Sequence, residues 1–208
     1  MKDRLKIPPT KSALLSLKRQ VIFLHQGHNL LERKRELLTR LVYERLGQYR
    51  ALRKDVRSAL EQAYRALAVT HMRMGSRMLQ QAALGLTPAL TVHVLPRSSI
   101  GVEYPAVTAE SIPLQPVGLL WTDASFDATR ACLVQSAILL ARQGEAETAL
   151  WRLLAEQRKT QKRVNALKYN IIPRYTATIR YIESALEEEE RNTLFQIKVL
   201  RDRKSSTL

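Results

Sequence analysis

The chain has 208 residues, of which 45% are hydrophobic, enough for a core, and only 7 glycines and 8 prolines, too few for a loop-rich or all-β protein. Its formal charge of +15, from 34 basic and 19 acidic side chains, steers it toward acidic surfaces. The single cysteine, Cys132, excludes an intrachain disulfide, and its apolar setting ACLVQSAILLA predicts a buried, inert thiol. The opening MKDRLKIPPT lacks the apolar core of a signal peptide, and no apolar run nears the roughly 18 residues of a spanning helix. The expectation is a soluble intracellular protein that meets a membrane only through partners.

In chain order, Pro8, Pro9 and Thr10 read as a helix start with Thr10 as N-cap. From Leu14, alternate steps of three and four give Leu17, Val21, Leu24, His28, Leu31, Arg35, Leu38, Val42, Arg45, Tyr49, Leu52, Val56, Ala59, Ala63 and Ala66. Only His28, Arg35 and Arg45 among these sixteen positions are polar, which is the pattern of a coiled-coil seam. The seam narrows to alanine at its far end, where a facing helix can come close. Gly85 followed by Pro88 predicts the helix end, and Gly75 is the expected break.

From Leu86 to Trp121 the texture changes. Thr91–Leu95 and Ile100–Val107 are rich in β-branched residues, so a hairpin is expected with Pro96–Ser99 as its loop. Pro105 places the second strand at an edge, and SIPLQPVGLL reads as an extended connection. A second long helix is expected after the cap candidates Thr122 and Asp123, reaching about Arg203 with an irregularity at Gly144. Leu133, Leu140, Leu150, Leu153, Val164, Leu167 and Ile171 form its expected apolar stripe.

The stretch Arg163–Glu190, RVNALKYNIIPRYTATIRYIESALEEEE, carries Pro173 in the middle of an apolar stripe that resumes at once. An interior proline costs about 3 kcal/mol, so the helix is expected to kink or loosen there. The spacing 167, 171, 175, 179 makes three successive steps of four, a register fault that unwinds a left-handed supercoil. The predicted fold is mainly α: two long antiparallel helices forming a coiled coil, with a small middle insert containing a β-hairpin. Its expected divisions are residues 1–84, 85–123 and 124–208.

The same stretch resembles the carboxyl-terminal signature of the D-subunit family of V-type and A-type rotary ATPases. PPTKSALLSLKRQ and GHNLLERKRELL resemble that family's amino-terminal block, and IGVEYP its middle strand-and-proline element. The resemblance implies a central stalk, the rotor shaft that couples ATP hydrolysis or synthesis to ion translocation. It implies that the paired helices stand inside a head of catalytic A and regulatory B subunits. It further implies a small F subunit at the side and a funnel-like subunit below, above the membrane rotor, at the cytoplasmic face. It implies no catalysis, no cofactor and no homo-oligomer; the coincidence of Pro173 with the register fault predicts a bend or local unwinding there that gives such a shaft its eccentricity.

The charge is unevenly spread: residues 1–84 carry 18 basic and 6 acidic side chains, residues 85–125 carry 1 and 3, and residues 126–208 carry 15 and 10. Lys18, Arg19, Arg33, Lys34, Arg35 and Arg40 in the first block are candidate contacts to acidic loops of the head, as are Lys159, Lys162, Arg163, Lys168, Arg174 and Arg180 around the second. A solvated helix face is the plain alternative for each one. The alternative functions are a basic coiled-coil scaffold and a nucleic-acid binder. The latter lacks a groove reader or stacking platform, at 6% aromatic content. His25 and His28 lie three apart without a third ligand, and no phosphate-cradling GxxxxGK[ST] loop occurs, so neither metal nor nucleotide binding is expected.

Overall fold

The computed structural model describes residues 4–117 and 122–205, the side chains of 202–205 excepted. Its elements in order are α1 (Lys11–Met74), α2 (Ser76–Leu84), β1 (Leu90–Ser99), β2 (Val102–Ser111), α3 (Ala124–Ala166), a π-helical turn (Leu167–Ile171) and α4 (Ile172–Ser205). The protein is mostly helical, with long helices and one small hairpin. The chain divides into two compact units. Unit 1 is the segment up to Glu36 with that from Arg158 onward, and unit 2 is Leu37–Gln157.

The helix boundaries follow from local chemistry. Thr10 caps α1 as expected, its Oγ1 accepting the Ala13 N–H at 3.2 Å. Gly75 ends α1 because its φ of 74° and ψ of 160° lie where a side chain is not tolerated. α2 closes at Gly85. Asp123 starts α3: its carbonyl accepts the Phe126 N–H at 2.8 Å, and its carboxylate accepts the Ser125 hydroxyl at 2.8 Å. The irregularity expected at Gly144 is absent, since α3 runs unbroken through it. One interior glycine costs a helix only about 1 kcal/mol, which the packing of Ala149, Leu150 and Leu153 on the same helix offsets.

In unit 2, Leu38, Val102 and Leu153 form the core cluster, with Leu41 and Val42 packed on it. Leu38 and Leu153 are almost wholly buried, each contributing about 2 kcal/mol. The alanine end of the seam brings α1 and α3 close together: Ser136 Oγ donates to the Ala59 carbonyl at 3.1 Å. Further along, the Thr70 and Thr129 hydroxyls meet at 2.8 Å and both lie beside the Ser125 carbonyl. This hydroxyl ladder corrects the expected stripe. Leu133 and Leu140 are exposed, and Thr129 and Ser136 hold the buried positions instead. Small hydroxyl residues suit so close an approach because each one satisfies itself on a backbone carbonyl. Cys132 is half-buried rather than buried, since it lies beside this ladder and not on it.

The hairpin is longer than expected and turns later. β1 and β2 pair antiparallel from Leu90↔Ser111 to Ser99↔Val102, leaving Ile100 and Gly101 as a two-residue loop. Both have positive φ, 53° and 73°, the requirement of a type I′ turn. Pro96–Ser99 is therefore strand, not loop. The prolines are tolerated because Pro96 faces Pro105. The Val107 N–H donates to Glu145 and the Glu103 carbonyl accepts from Arg152, so odd-numbered β2 residues turn their backbone groups away from β1. Pro96 and Pro105 thus sit where no ladder N–H is needed. Residues 112–117 are irregular, and the remainder of the expected extended connection, 118–121, lies outside the described residues.

In unit 1, contacts between α1 and the helical segment from α3 into α4 run in opposite chain order: Lys11 with Glu190, Lys18 with Glu183, and Arg35 with Gln161. Leu17, Val164 and Ile182 are its buried apolar residues, and Thr160 and Thr178 its buried hydroxyls. Thr178 Oγ1 also accepts the Leu5 N–H at 3.0 Å, which ties the segment before α1 to α4.

Candidate partner-binding surface

All sixteen seam positions of α1 are buried or half-buried, so the residues left for partners lie off that line. Of the basic candidates, three have intramolecular surroundings that claim them. Lys18 Nζ pairs with Glu183 at 2.7 Å. Arg35 pairs with Glu32 at 2.6 Å and donates to Gln161 at 3.3 Å. Arg174 is half-buried, and its Nε is buried without a hydrogen-bond partner. Lys34 is half-buried as well. Arg19, Arg33, Arg40, Lys159, Lys162, Arg163, Lys168 and Arg180 are exposed. Lys168 lies 5.3 Å from the Tyr169 ring, and that tyrosine is itself exposed.

Around Pro173 the helix carries one widened turn. The Ile172 N–H donates to the Leu167 carbonyl, five residues back, which places an extra residue in the turn. The three successive steps of four in the sequence coincide with it. The helix continues through Pro173, whose missing N–H falls just after the widened turn. Pro173 is exposed.

Sequence reasoning missed two features. First, among the described residues three buried polar atoms lack partners, His28 Nε2, Glu32 Oε2 and Arg174 Nε, all in unit 1. Hydrophobic periodicity signals only His28 among them. Second, every residue from Glu187 to Lys198 is exposed, although Leu194, Phe195 and Ile197 are large and apolar, and Leu200 follows with 64% exposure. At 100° per residue these four side chains point around most of the α4 circumference. α1 starts at Lys11, opposite Glu190, so α4 runs on past the start of α1. The apolar residues were legible in the sequence as LFQIKVL, and their meaning depended on knowing where α1 begins.

Two ion pairs shift titrations at exposed positions. The Lys11 hydrogen bond and charge hold the Glu190 carboxyl below its ordinary range, and Glu190 raises Lys11 by the same contact. Arg73, and next Ser125, hold Asp123 down. Among the described residues no group of three or more His, Cys, Asp or Glu side chains is placed to hold a metal ion. No helix is long and apolar enough to cross a membrane, among the same residues.

The family model for the D subunit of ATP synthase matches residues 13–202. The V-type ATP synthase D subunit of Thermotoga neapolitana is 33% identical over 198 residues, covering 95% of this chain and 98% of that protein. The A-type ATP synthase D subunit of Pyrococcus furiosus is 32% identical over 202 residues, covering 95% and 94%. That of Methanosphaera stadtmanae is 33% identical over 199 residues, covering 94% and 93%. These matches run through both helical blocks, the hairpin and the widened turn alike, and on them the chain belongs to the ATP synthase D-subunit family.

Proposed function

We infer that this protein is the central-stalk shaft of a V/A-type rotary ATPase, a non-catalytic subunit that couples the nucleotide-driven head to ion translocation. Family membership over residues 13–202 carries the reading. α1 and the helical segment from α3 into α4 act as an antiparallel coiled coil, supported by the sixteen covered seam positions and by the paired contacts within each unit. Functionally the chain divides at 1–84, 85–123 and 124–208. The two helical parts form the shaft and the middle part its side element.

The end of α4 enters the head. Its exposed Leu194, Phe195, Ile197 and Leu200 favour cover, and a ring of A and B subunits supplies it. Arg19, Arg33, Arg163, Lys168 and Arg180, with Lys18, Lys34, Arg35 and Arg174 behind them, give the shaft its positive field toward that ring. Pro173 and its widened turn supply the bend that makes the shaft eccentric. The hairpin side meets a small F subunit, and the opposite end meets a funnel-like subunit at the cytoplasmic face of the membrane. Reconstitution tests this reading: head, stalk and membrane parts lacking this chain should hydrolyse ATP without pumping ions, and adding the chain should restore pumping. Pumping that persists without the chain contradicts it.

A further inference from the structure

The segment before α1 lies along α4. Its Leu5 N–H donates to Thr178 Oγ1 at 3.0 Å, Arg4 stacks 4.4 Å over the Tyr181 ring, and Pro9 and Thr10 share a groove with Leu186 and Leu194. Lys11 then meets Glu190 at the start of α1. The segment therefore climbs α4 from Thr178 to Glu190, and α1 turns back from there. The two spans match. Thr178 to Glu190 covers about 18 Å at the rise of an α-helix, and Leu5 to Lys11 covers about 19 Å at the rise of a polyproline-like chain. Pro8 and Pro9 fix their own φ and keep Ile7 extended, so the segment is stiff between its two attachments.

The helices it joins are weakly held at this end. Every α1 residue over 11–16 is exposed or half-buried, and so is every described residue of α4 from Glu183 on. The first turn of α1 has no acidic residue and begins on Lys11, the wrong charge for a helix amino terminus. The pair of Lys11 with Glu190 is exposed on both sides and adds little. Thr178, by contrast, is 1% exposed and lies one turn before the buried Ile182. Its hydroxyl accepts from Leu5 and donates to the Arg174 carbonyl at 2.8 Å, so both of its functions are used. The segment thus bypasses the weak end and fastens to a buried turn of α4.

From these contacts we propose that residues 4–10 are a latch, a strap that keeps the first turns of α1 from parting from α4. With Leu5 held, the chain to Lys11 reaches at most about 20 Å, so the start of α1 can leave its seat by about one helix diameter and no further. A displaced turn stays tethered beside its partner and recloses before more of α1 unwinds. On the shaft reading, the latch makes the two helices turn as one at this end. The latch itself stands on contacts within unit 1, so it can fail while the shaft reading holds.

Hydrogen exchange on the full chain, read by mass spectrometry, tests the latch. Leu5→Pro removes the donated N–H from a residue outside every helix, and Thr178→Val removes the acceptor while keeping its shape. Both should speed exchange of the amides of residues 14–17 about fivefold, the effect of one hydrogen bond on a local opening, and leave residues 31–36 at the parent rate. Lys11→Ala should speed the same amides less. Parent rates at residues 14–17 in the Leu5→Pro chain overturn the latch, as does a Lys11→Ala effect equal to that of Leu5→Pro. Faster exchange confined to residues 174–182 in the Thr178→Val chain overturns it too, since the threonine then serves α4 alone. Should Thr178→Val fail to fold, Leu5→Pro decides by itself.

Discussion

The two units solve helix pairing differently. Unit 2 has an apolar cluster of Leu38, Val102 and Leu153, a hydroxyl ladder closed on backbone carbonyls, and a hairpin strand fastened by Glu145 and Arg152. Unit 1 has fewer buried apolar residues, ion pairs at its rim, a widened turn, and three buried polar atoms without partners. One seam thus serves two purposes. In unit 2 the pair is closed by apolar and hydroxyl contacts and by the hairpin, and in unit 1 it keeps buried polar atoms without partners among the described residues.

The largest expected effect lies in unit 2. Leu153→Ala leaves a cavity in a site only 1% exposed and should cost about 2–5 kcal/mol, read as a lower urea midpoint with an unchanged slope. Thr70→Val should cost about 1 kcal/mol by the same measurement, because it removes the buried hydroxyl that bonds to Thr129 and to the Ser125 and Ala66 carbonyls. In unit 1 the sign should reverse: His28→Leu removes a buried, unpartnered nitrogen and should stabilise by about 1 kcal/mol. If His28→Leu destabilises as much as Thr70→Val, the contrast between the units is wrong.

A smaller effect is expected at the widened turn. Pro173→Ala restores an N–H, and hydrogen exchange over Leu167–Ile172 should slow while the urea midpoint barely moves. The smallest belongs to the rim. Glu190 is held down, so its contribution is present above the ordinary value near 4.5 and is lost as pH falls through the lower folded value. Lys11 is held up, so its contribution is present below the ordinary value near 10.5 and is lost as pH rises through the higher folded value. Lys11→Ala should return the Glu190 carboxyl toward 4.5 in an NMR titration and leave the melting temperature near that of the parent at neutral pH, since both groups are exposed.

Much of this fold was legible in residue spacing. The seam from Leu14 to Ala66, the Thr10 cap, the break at Gly75 and the hairpin itself all follow from local rules that tertiary packing did not override. The failures have two causes. Thr129, Ser136, Thr160 and Thr178 belong to no apolar stripe in the sequence, yet a hydroxyl can be buried wherever a carbonyl is near, and that depends on how closely two helices approach. The turn at Ile100 and Gly101 was hidden because isoleucine seldom takes positive φ and Pro96 looked like a loop residue. The candidate surface was half legible. Charge marked Arg19 and Arg33, but only the burial pattern shows that Leu15, Ile22, Phe23 and Leu30 are exposed beside them.

Every functional role assigned to these surfaces depends on the chain turning inside the head. With Cys132→Ser removing the native thiol, His93→Cys on the exposed strand β1 provides one site for a bead on the surface-fixed head complex. If the chain is the rotor, adding ATP produces sustained rotation of the bead in one direction. A bead that stays fixed, or only fluctuates, while the same complexes hydrolyse ATP would contradict it.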